Sequence, residues 1–275
     1  MSTDNKSYQR SFASIYDQVM SAVPYDFWYE YLKLLLEYHG VLPPDRALEL
    51  GCGTGNMMVR FLSDGIKVDG LDGSCDMLDE AEKKAKKFKI ESDFYHRDFL
   101  DIPKEFKYPL VYSIFDSLNY VLELKKLEKV FNSVHEILDS SGVFIFDLNT
   151  EERLAGIKPG TITFQEDDFL CYWQDIVEPE ESIWKVKLII QKKNDSGYYK
   201  ETHVEKGYNP YKIKASLIDA GFESVFFYRA NYLIEGSPSD NRIYFLAFPG
   251  KVMKPGIVKE LYYKLKLFYL RKVYI

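Results

Sequence analysis

The densest chemical signal in the sequence is the segment ALELGCGTGN at positions 47–56. Apolar residues typical of a strand lead into Gly51, Gly53 and Gly55, which allow a tight turn before a helix. Backbone N–H groups at the start of such a helix can hold an anionic group close to the main chain. The segment therefore predicts a cofactor site, and by itself it is compatible with NAD, FAD or S-adenosylmethionine (SAM).

Two features of this loop favour SAM. The dinucleotide fingerprint needs a third glycine three residues after the second, and Asn56 occupies that position. Glu49 precedes the loop, where a carboxylate would repel a pyrophosphate but attract the ammonium of SAM's methionine part. We therefore predict a SAM site, with Glu49 and Cys52 included beside the three glycines of the loop.

A second cluster of polar residues follows the next strand. Asp72, in VDGLDGS at 68–74, lies 21 residues beyond Gly51, where an acid can accept hydrogen bonds from both ribose hydroxyls. A lone Asp after a strand also serves as a helix cap, and that alternative stays open. Gly73 and Met77 are included in the same predicted cofactor site.

Two later segments extend the predicted pocket. In HRDFLDI at 96–102, Asp98 could accept from the adenine amino group, and Phe99 offers a backbone N–H and packing. In LVYSIFDSLNYV at 110–121, an apolar strand leads to the sheet edge where open α/β proteins bind ligands. There Phe115 and Tyr120 could wall the sulfonium and the acceptor, and Asn119 is a candidate polar contact that could equally satisfy backbone groups.

The elements that must position these residues alternate between strand and helix. Strands are predicted at 46–50, 67–71, 94–97, 110–115 and 143–148, with helices between several of them. This alternation predicts a mostly parallel sheet covered by helices on both faces, the Rossmann-like α/β class. An amphipathic segment at 7–38, interrupted at Pro24, precedes it.

The pattern changes after residue 150. Residues 161–206 contain no good helix, and alternate side chains of 183–191 put Trp184, Val186, Leu188 and Ile190 on one face. We therefore predict a small inserted antiparallel sheet, with a turn at 194–197. A helix at 211–220 and two final strands, near 225–229 and 243–248, return the chain to the core.

With these motifs in order, the chain resembles the class I SAM-dependent methyltransferases over roughly residues 40–250. ASIYDQVMSAVPYDFW at 13–28, FDSLNYV at 115–121 and ETHVEKGY at 201–208 look like a bacterial branch of small-molecule methyltransferases. That branch is similar to sugar N,N-dimethyltransferases and, more distantly, to glycine N-methyltransferase. The resemblance implies seven strands ending in an antiparallel hairpin, with S-adenosylhomocysteine (SAH) as product.

The resemblance also implies a division of the chain and further site residues. Residues 1–40 would form a helical lid, 41–150 and 207–250 the SAM-binding core, and 151–206 an inserted sheet over the active site. Tyr16 would lie near the sulfonium, Tyr25 and Trp28 in the lid, and His203 on or beside the inserted sheet. Tyr16 and His203 are the candidate catalytic residues, and His203 could equally be a structural hydrogen-bonding residue.

Composition narrows the class of protein. The formal net charge of −6 disfavours a nucleic-acid binder, which is usually strongly basic. Three cysteines without paired spacing and four scattered histidines predict neither a disulfide framework nor a metal site. The N-terminus is polar, without an apolar signal region, and no uninterrupted apolar run is long enough to span a bilayer, which predicts a cytoplasmic protein.

The segment 251–275 departs from the rest in charge, with seven Lys or Arg and one acid, while the preceding 250 residues carry −12. Residues 255–275 predict a basic amphipathic helix with Ile257, Leu261, Leu265 and Phe268 along one stripe. The helix is expected to dock on the core or on a second subunit, so monomer and homodimer stay open. A membrane-surface helix or an RNA contact is the alternative.

These features predict a SAM-dependent methyltransferase acting on a nitrogen or oxygen of a small molecule. One alternative is an RNA or protein methyltransferase that docks its acceptor through the basic helix, and another is a non-catalytic SAM-binding protein. Asp116-Ser117-Leu118-Asn119 stands where an NPPY-type signature would follow the fourth strand, which disfavours base and glutamine methylation.

Overall fold

The computed structural model describes residues 7–193 and 197–274, and its main layer is a seven-stranded sheet. The strands of this sheet are β1 (Arg46–Leu50), β2 (Lys67–Asp72), β3 (Phe94–His96), β4 (Tyr108–Ser113), β5 (Leu138–Asn149), β10 (Ser224–Arg229) and β11 (Arg242–Phe248). Their order across the sheet is β10-β11-β5-β4-β1-β2-β3. The ladders from β3 to β5 are parallel, and β11 runs antiparallel to both neighbours. The predicted fold class is confirmed, including the C-terminal antiparallel hairpin.

Helices cover both faces of this sheet. They are α3 (Tyr25–Tyr38), α4 (Met58–Ser63), α5 (Cys75–Ala85), α6 (Leu124–Ile137) and α8 (Pro210–Asp219). The short helix α7 (Glu151–Ala155) instead contacts the inserted sheet described below. Consecutive strand residues point to opposite faces, so Leu110 of β4 packs in the same cluster as Leu35 and Phe61, while Val111 packs with Phe131 and Leu217. The two apolar clusters fix the sheet between its helical layers and hold its carboxyl edge in a defined position.

The predicted insert is a separate four-stranded antiparallel sheet. It consists of β6 (Gly160–Gln165), β7 (Phe169–Glu178), β8 (Ile183–Lys192) and β9 (Tyr198–Lys206), in chain order. Val186, Leu188 and Ile190 lie on its buried face, with Trp184 partly buried beside them, as the alternation predicts. The predicted turn at 194–197 lies, except for Gly197, outside the described residues.

The inserted sheet packs against the N-terminal segment. Two short helices, α1 (Arg10–Ala13) and α2 (Tyr16–Val19), place Phe12, Tyr16 and Val19 in one apolar cluster with the buried face of the insert. Glu201 of β9 fixes this arrangement, because its carboxylate accepts hydrogen bonds from the backbone N–H groups of Tyr8 at 2.8 Å and Gln9 at 3.1 Å. The helices of the segment 7–38 are interrupted at Pro24, as predicted, and Pro24 occupies the position before the first residue of α3.

The strand predicted at 110–115 ends two residues early, and this correction matters for the site. Phe115 and Asp116 have φ angles of 68° and 52°, in the left-handed region that non-glycine residues rarely adopt. The buried carboxylate of Asp147 accepts hydrogen bonds from both of their backbone N–H groups, at 2.7 and 3.2 Å. These bonds turn the chain out of the sheet and into a short 3-10 helix, Ser117–Tyr120.

The C-terminal segment forms helix α9 (Ile257–Tyr274), which packs on α3. None of the helices in the described ranges is long and apolar enough to cross a membrane.

Candidate active site

A cavity of about 430 Å³ opens at the carboxyl ends of β1, β2 and β4. It lies at the edge where open α/β sheets bind ligands, beside the point at which strand order reverses between β1 and β4. Of the eleven residues predicted to bind the cofactor, ten line it. They are Glu49, Gly51, Cys52, Gly53, Asp72, Gly73, Met77, Asp98, Phe99 and Phe115.

The glycine loop forms one wall of the cavity. Gly51 has a φ of +70°, and a Cβ there would lie 2.8 Å from the Cβ of Ser117, so only glycine fits the approach of the two segments. A Cβ built on Gly53 or Gly73 would meet no atom within 4 Å. The open space beside these two glycines lets a ligand approach the protein backbone closely.

Asp72 lies at the end of β2, facing the glycine loop. Its two carboxylate oxygens accept hydrogen bonds from the backbone N–H groups of Gly53 and Ser74, each at 2.8 Å. Burial raises the pKa of this carboxyl despite both bonds. Because each oxygen keeps a second lone pair, Asp72 can still accept from a pair of ribose hydroxyls while it braces the loop.

Glu49 is almost fully buried at the inner end of the cavity. Burial raises its pKa to about 8, and the hydroxyl of Tyr112 donates to it at 2.9 Å and partly offsets that rise. At neutral pH the carboxyl is therefore mostly protonated in the protein alone. A cation bound against Glu49 would lower its pKa and favour the ionised carboxylate. A ligand with an ammonium group supplies such a cation.

Asp98 and Phe99 lie on the outer wall of the cavity. The Asp98 carboxylate accepts a hydrogen bond from the backbone N–H of Leu100 at 2.9 Å and is otherwise exposed. Its other acceptor positions are free to meet an exocyclic amine. Asp98, Asp72 and Glu49 lie at the carboxyl ends of β3, β2 and β1, which are neighbours in the sheet. In that order, their carboxyl groups fit the adenine, ribose and methionine parts of SAM.

Four tyrosines close the other end of the cavity: Tyr8, Tyr16, Tyr25 and Tyr120. Burial raises the pKa of each, so these hydroxyls stay protonated at neutral pH. The hydroxyls of Tyr8 and Tyr120 are hydrogen-bonded at 2.7 Å, and the Tyr120 hydroxyl is 3.1 Å from Nδ1 of His203. Nε2 of His203 is buried without a hydrogen-bond partner in the described part of the chain and lies 3.5 Å from a Glu201 carboxylate oxygen.

Four predicted site residues do not line the cavity. Gly55 packs against Ala81 of α5, where a Cβ would come within 3.2 Å. Trp28 lies behind Phe115, with ring centroids 5.2 Å apart, and His203 lies one layer behind Tyr120. Asn119 is fully buried, and its amide bonds the backbone at Asn149 and Lys206, so it joins β5 to β9.

The sequence motifs did not identify several residues that shape the site. Tyr8 is held in it by contacts with residues far away in the chain, among them Glu201, which is 193 residues away and accepts from its backbone N–H, and Ser74, whose hydroxyl donates to its backbone oxygen. Asp17 joins α2 to the glycine loop and α5, accepting from Thr54 at 2.7 Å, Asn56 at 2.9 Å and Lys84 at 2.6 Å. Neither carries a local pattern, although Asp17 lies inside the segment 13–28 that resembles the small-molecule methyltransferases.

A buried ionic cluster supports the turn after β4. Arg242 at the start of β11 binds Asp147 at 2.8 Å and Asp116 at 2.9 Å. The amide of Asn149 donates to Asp116 at 2.6 Å and to Glu205 at 3.3 Å. Burial, and then the neighbouring Asp116 charge, raise the pKa of Glu205 well above its usual range, which leaves Glu205 as the neutral member of the cluster.

Comparison with known proteins agrees with this geometry. Residues 47–142 match the family described as "Methyltransferase domain". A Geobacillus sp. (strain WCH70) protein, GWCH70_2453, is 29% identical over 86% of this chain and 98% of its own length, and it is named provisionally as a methyltransferase.

Solved structures share the fold over most of the chain. The structure of a SAM-dependent methyltransferase from Clostridium acetobutylicum ATCC 824 superposes with a TM-score of 0.74, at 24% identity over 87% of this chain and 98% of that one. The sugar N-methyltransferase KedS8 from Streptoalloteichus sp ATCC 53650 gives a TM-score of 0.69, at 15% identity over 91% and 99%.

The raised pKa of Glu49 makes SAM binding depend on pH. Since Glu49 is protonated below about pH 8 and a bound ammonium favours its ionised form, binding releases a proton. The affinity for SAM should rise close to tenfold between about pH 6 and 7 and level off above about pH 8. Calorimetric titration in buffers of different ionisation enthalpy measures both the affinity and the proton count.

Glu49→Gln should bind SAM more weakly, with no proton release and a flat pH dependence in this range. Glu105→Gln, at an exposed position, is the matched control and should keep the slope. A wild-type affinity that does not change with pH would contradict this role for Glu49.

Proposed function

Because the chain is a class I SAM-dependent methyltransferase, we propose that it methylates a nitrogen or oxygen of a small-molecule acceptor, with nitrogen favoured. The observation that carries the proposal is the cover over the tyrosine end of the cavity. Tyr8 and Tyr16 of the N-terminal segment line that end, and the inserted sheet packs behind this segment, so an acceptor would have to fit beneath them. A compact molecule meets that condition, whereas an RNA or protein acceptor would have to displace the cover.

The N-terminal segment and the inserted sheet would act as one lid. Glu201 joins the sheet to the start of α1, and Asp17 joins α2 to the glycine loop. The Glu201 contacts are buried within the lid and hold its two parts together. The Asp17 contacts with the core are polar and half-exposed, so they can break and re-form more readily than the apolar core opens. The lid would open to admit the acceptor and close to exclude water from the site. The fold accommodates a comparable acceptor in the sugar N-methyltransferase KedS8.

The cofactor roles follow from the cavity wall. Glu49 would hold the ammonium of SAM, Asp72 the ribose hydroxyls, and Asp98 the adenine amino group, with the glycine loop and Gly73 alongside. When bound, SAM supplies an electrophilic methyl group on a positively charged sulfur. The rings of Tyr16, Tyr25 and Phe115 offer π-faces that favour a cationic centre at that end of the cavity.

Alignment is the main catalytic requirement for methyl transfer, because the nucleophile must lie behind the methyl group. An amine acceptor must also lose a proton. The Tyr8 hydroxyl can accept that proton as it passes its own to Tyr120, and Tyr120 can pass one to Nδ1 of His203. Glu201, 3.5 Å from Nε2, would then face an imidazolium. His203 would serve as the final proton acceptor although it does not touch the cavity.

Nitrogen is favoured because the acceptor end is rich in groups that stabilise a cation. Beyond burial, the charge of the Asp116 carboxylate raises the pKa of Tyr8, Tyr16 and Tyr120, so negative potential reaches this end of the cavity. An alcohol acceptor would need a strong base to form an alkoxide, and the tyrosine hydroxyls with raised pKa values do not provide one.

An acceptor screen with methyl-tritiated SAM tests the function. We expect label in small amines, amino sugars first, and none in the matched hydroxy sugars, in bulk tRNA or in a protein extract. Label confined to the tRNA or the protein fraction would contradict the proposal. Label in the hydroxy sugars alone would keep the small-molecule acceptor and reject nitrogen as its atom.

With an acceptor from that screen, Tyr120→Phe tests the proton path. The variant should lower kcat by about a hundredfold at neutral pH while leaving SAH affinity unchanged. The decrease in kcat should become smaller toward pH 10, because the amine then arrives unprotonated. A purely structural role for Tyr120 would not produce this dependence on pH. Tyr211→Phe, exposed on α8, is the control and should match wild type. A loss that is constant with pH would exclude the relay.

A further inference from the structure

Helix α9 packs on the body of the protein through one stripe only. Tyr263, Leu267 and Leu270 lie against α3, where the rings of Tyr263 and Tyr38 are 5.6 Å apart. Lys266 pairs with Glu37 beside this stripe, at 2.5 Å. The helix is therefore held in place by contacts on one side.

The opposite side of the helix is apolar and exposed. At 100° per residue its side chains cover an arc of about 160°, pointing away from α3. We call this surface the α9 apolar face, and it consists of Ile257, Val258, Leu261, Tyr262, Leu265, Phe268, Tyr269 and Val273. Exposed fractions run from 56% for Val273 to 86% for Val258. Exposed apolar side chains that adjoin along one face of a helix are typical of an interaction surface. The stripe predicted from the sequence belongs to this exposed face, and a different stripe docks.

Positive charge lies within and beside this face, because at 100° per residue Lys272 falls inside its arc while Lys259 and Arg271 lie toward Gly40 and Tyr232. Lys264 pairs with Glu260 and Lys266 with Glu37. The five remaining bases of the segment form no ion pair with any carboxylate in residues 7–193 and 197–274; they are Lys251, Lys254, Lys259, Arg271 and Lys272. The preceding 250 residues carry a formal charge of −12, so this end of the molecule is the one that an anionic surface attracts.

We propose that the α9 apolar face binds the surface of an anionic lipid bilayer, with the helix axis parallel to the membrane. An apolar face on a basic segment is the combination that lies at the boundary between headgroups and acyl chains. Tyr262 and Tyr269 lie toward one border of the face, where their apolar rings and polar hydroxyls suit the interface. The long lysine side chains can extend from the border to reach lipid phosphates.

Charge and apolar surface disfavour two other partners for the α9 apolar face, a second copy of this chain and RNA. A second copy of this chain would bring a second set of the same unpaired bases against the first, with Glu260 as the only acid of the helix. RNA would satisfy the bases, but its phosphates would leave the aliphatic side chains of Leu261, Leu265 and Val258 without an apolar partner. A bilayer with acidic headgroups satisfies both the charges and the apolar face.

Vesicle sedimentation tests the proposal. The probes are vesicles of phosphatidylcholine alone and vesicles with about one third phosphatidylglycerol. We expect binding to the anionic vesicles at least about tenfold tighter than to the neutral ones at 50 mM salt, and weaker binding at 500 mM.

Two sets of variants separate the contributions. Leu261→Ser with Leu265→Ser should lower binding at least about tenfold, as should the triple change Lys254→Gln, Lys259→Gln and Lys272→Gln. Leu42→Ser and Lys125→Gln, at exposed positions outside α9, should bind as wild type. Unchanged thermal unfolding would show that the variants fold.

Three results would overturn the proposal. The first is no binding to anionic vesicles at 50 mM salt. The second is vesicle binding that the leucine double variant retains. The third is a concentration-dependent dimer, or retention of bulk tRNA, in place of vesicle binding and abolished by the same double variant, which would assign the face to a second copy or to RNA.

Discussion

The buried carboxylate of Asp147 is the contact on which the active site depends. Two successive non-glycine residues, Phe115 and Asp116, adopt left-handed backbone conformations that cost roughly 1–2 kcal/mol each in isolation. Asp147 offsets this cost by accepting both of their N–H groups, and Arg242 holds Asp147 in turn. This turn places Phe115 in the cavity wall and brings Ser117 into close contact with Gly51. The Asp147–Arg242 ion pair thus helps to hold the sheet edge, the glycine loop and the tyrosine end of the cavity together.

The electrostatics of the interior match the ligand chemistry. Carboxyl groups at the end of β1, at the end of β2 and after β4 all face or adjoin the cavity, and burial raises the pKa of Glu49 and Asp72. Part of these carboxyl groups is therefore protonated and neutral until a bound cation favours their ionised form. A neutral or anionic ligand would gain nothing from that arrangement. The site is organised for a ligand that brings positive charge, as SAM does through both its ammonium and its sulfonium.

The sequence predicted the features that are local in the chain. The glycine loop and Asp72 have fixed spacings that follow from backbone geometry, and alternating side chains predicted the insert. Features that depend on distant contacts could not be predicted. The strand at 110–115 ends early because of Asp147, and Tyr8 enters the site because of Glu201. Asn119 and Trp28 have residue types suited to substrate contact, yet the fold uses them to join and support its elements. The stripe of α9 that docks could not be chosen because the helix is apolar on two sides.

The central claim is that the cavity is a SAM site, and a calorimetric titration of the full chain with SAM, SAH and NAD tests it most directly. We predict micromolar binding of SAM and SAH with one-to-one stoichiometry and no detectable binding of NAD, because Asn56 stands where the dinucleotide fingerprint needs a glycine. Gly65→Ala, at a distant glycine with a φ of +81°, should leave both affinities unchanged, whereas Gly51→Ala should weaken them because its Cβ would clash with Ser117. Tight binding of NAD without binding of SAM or SAH would contradict the account.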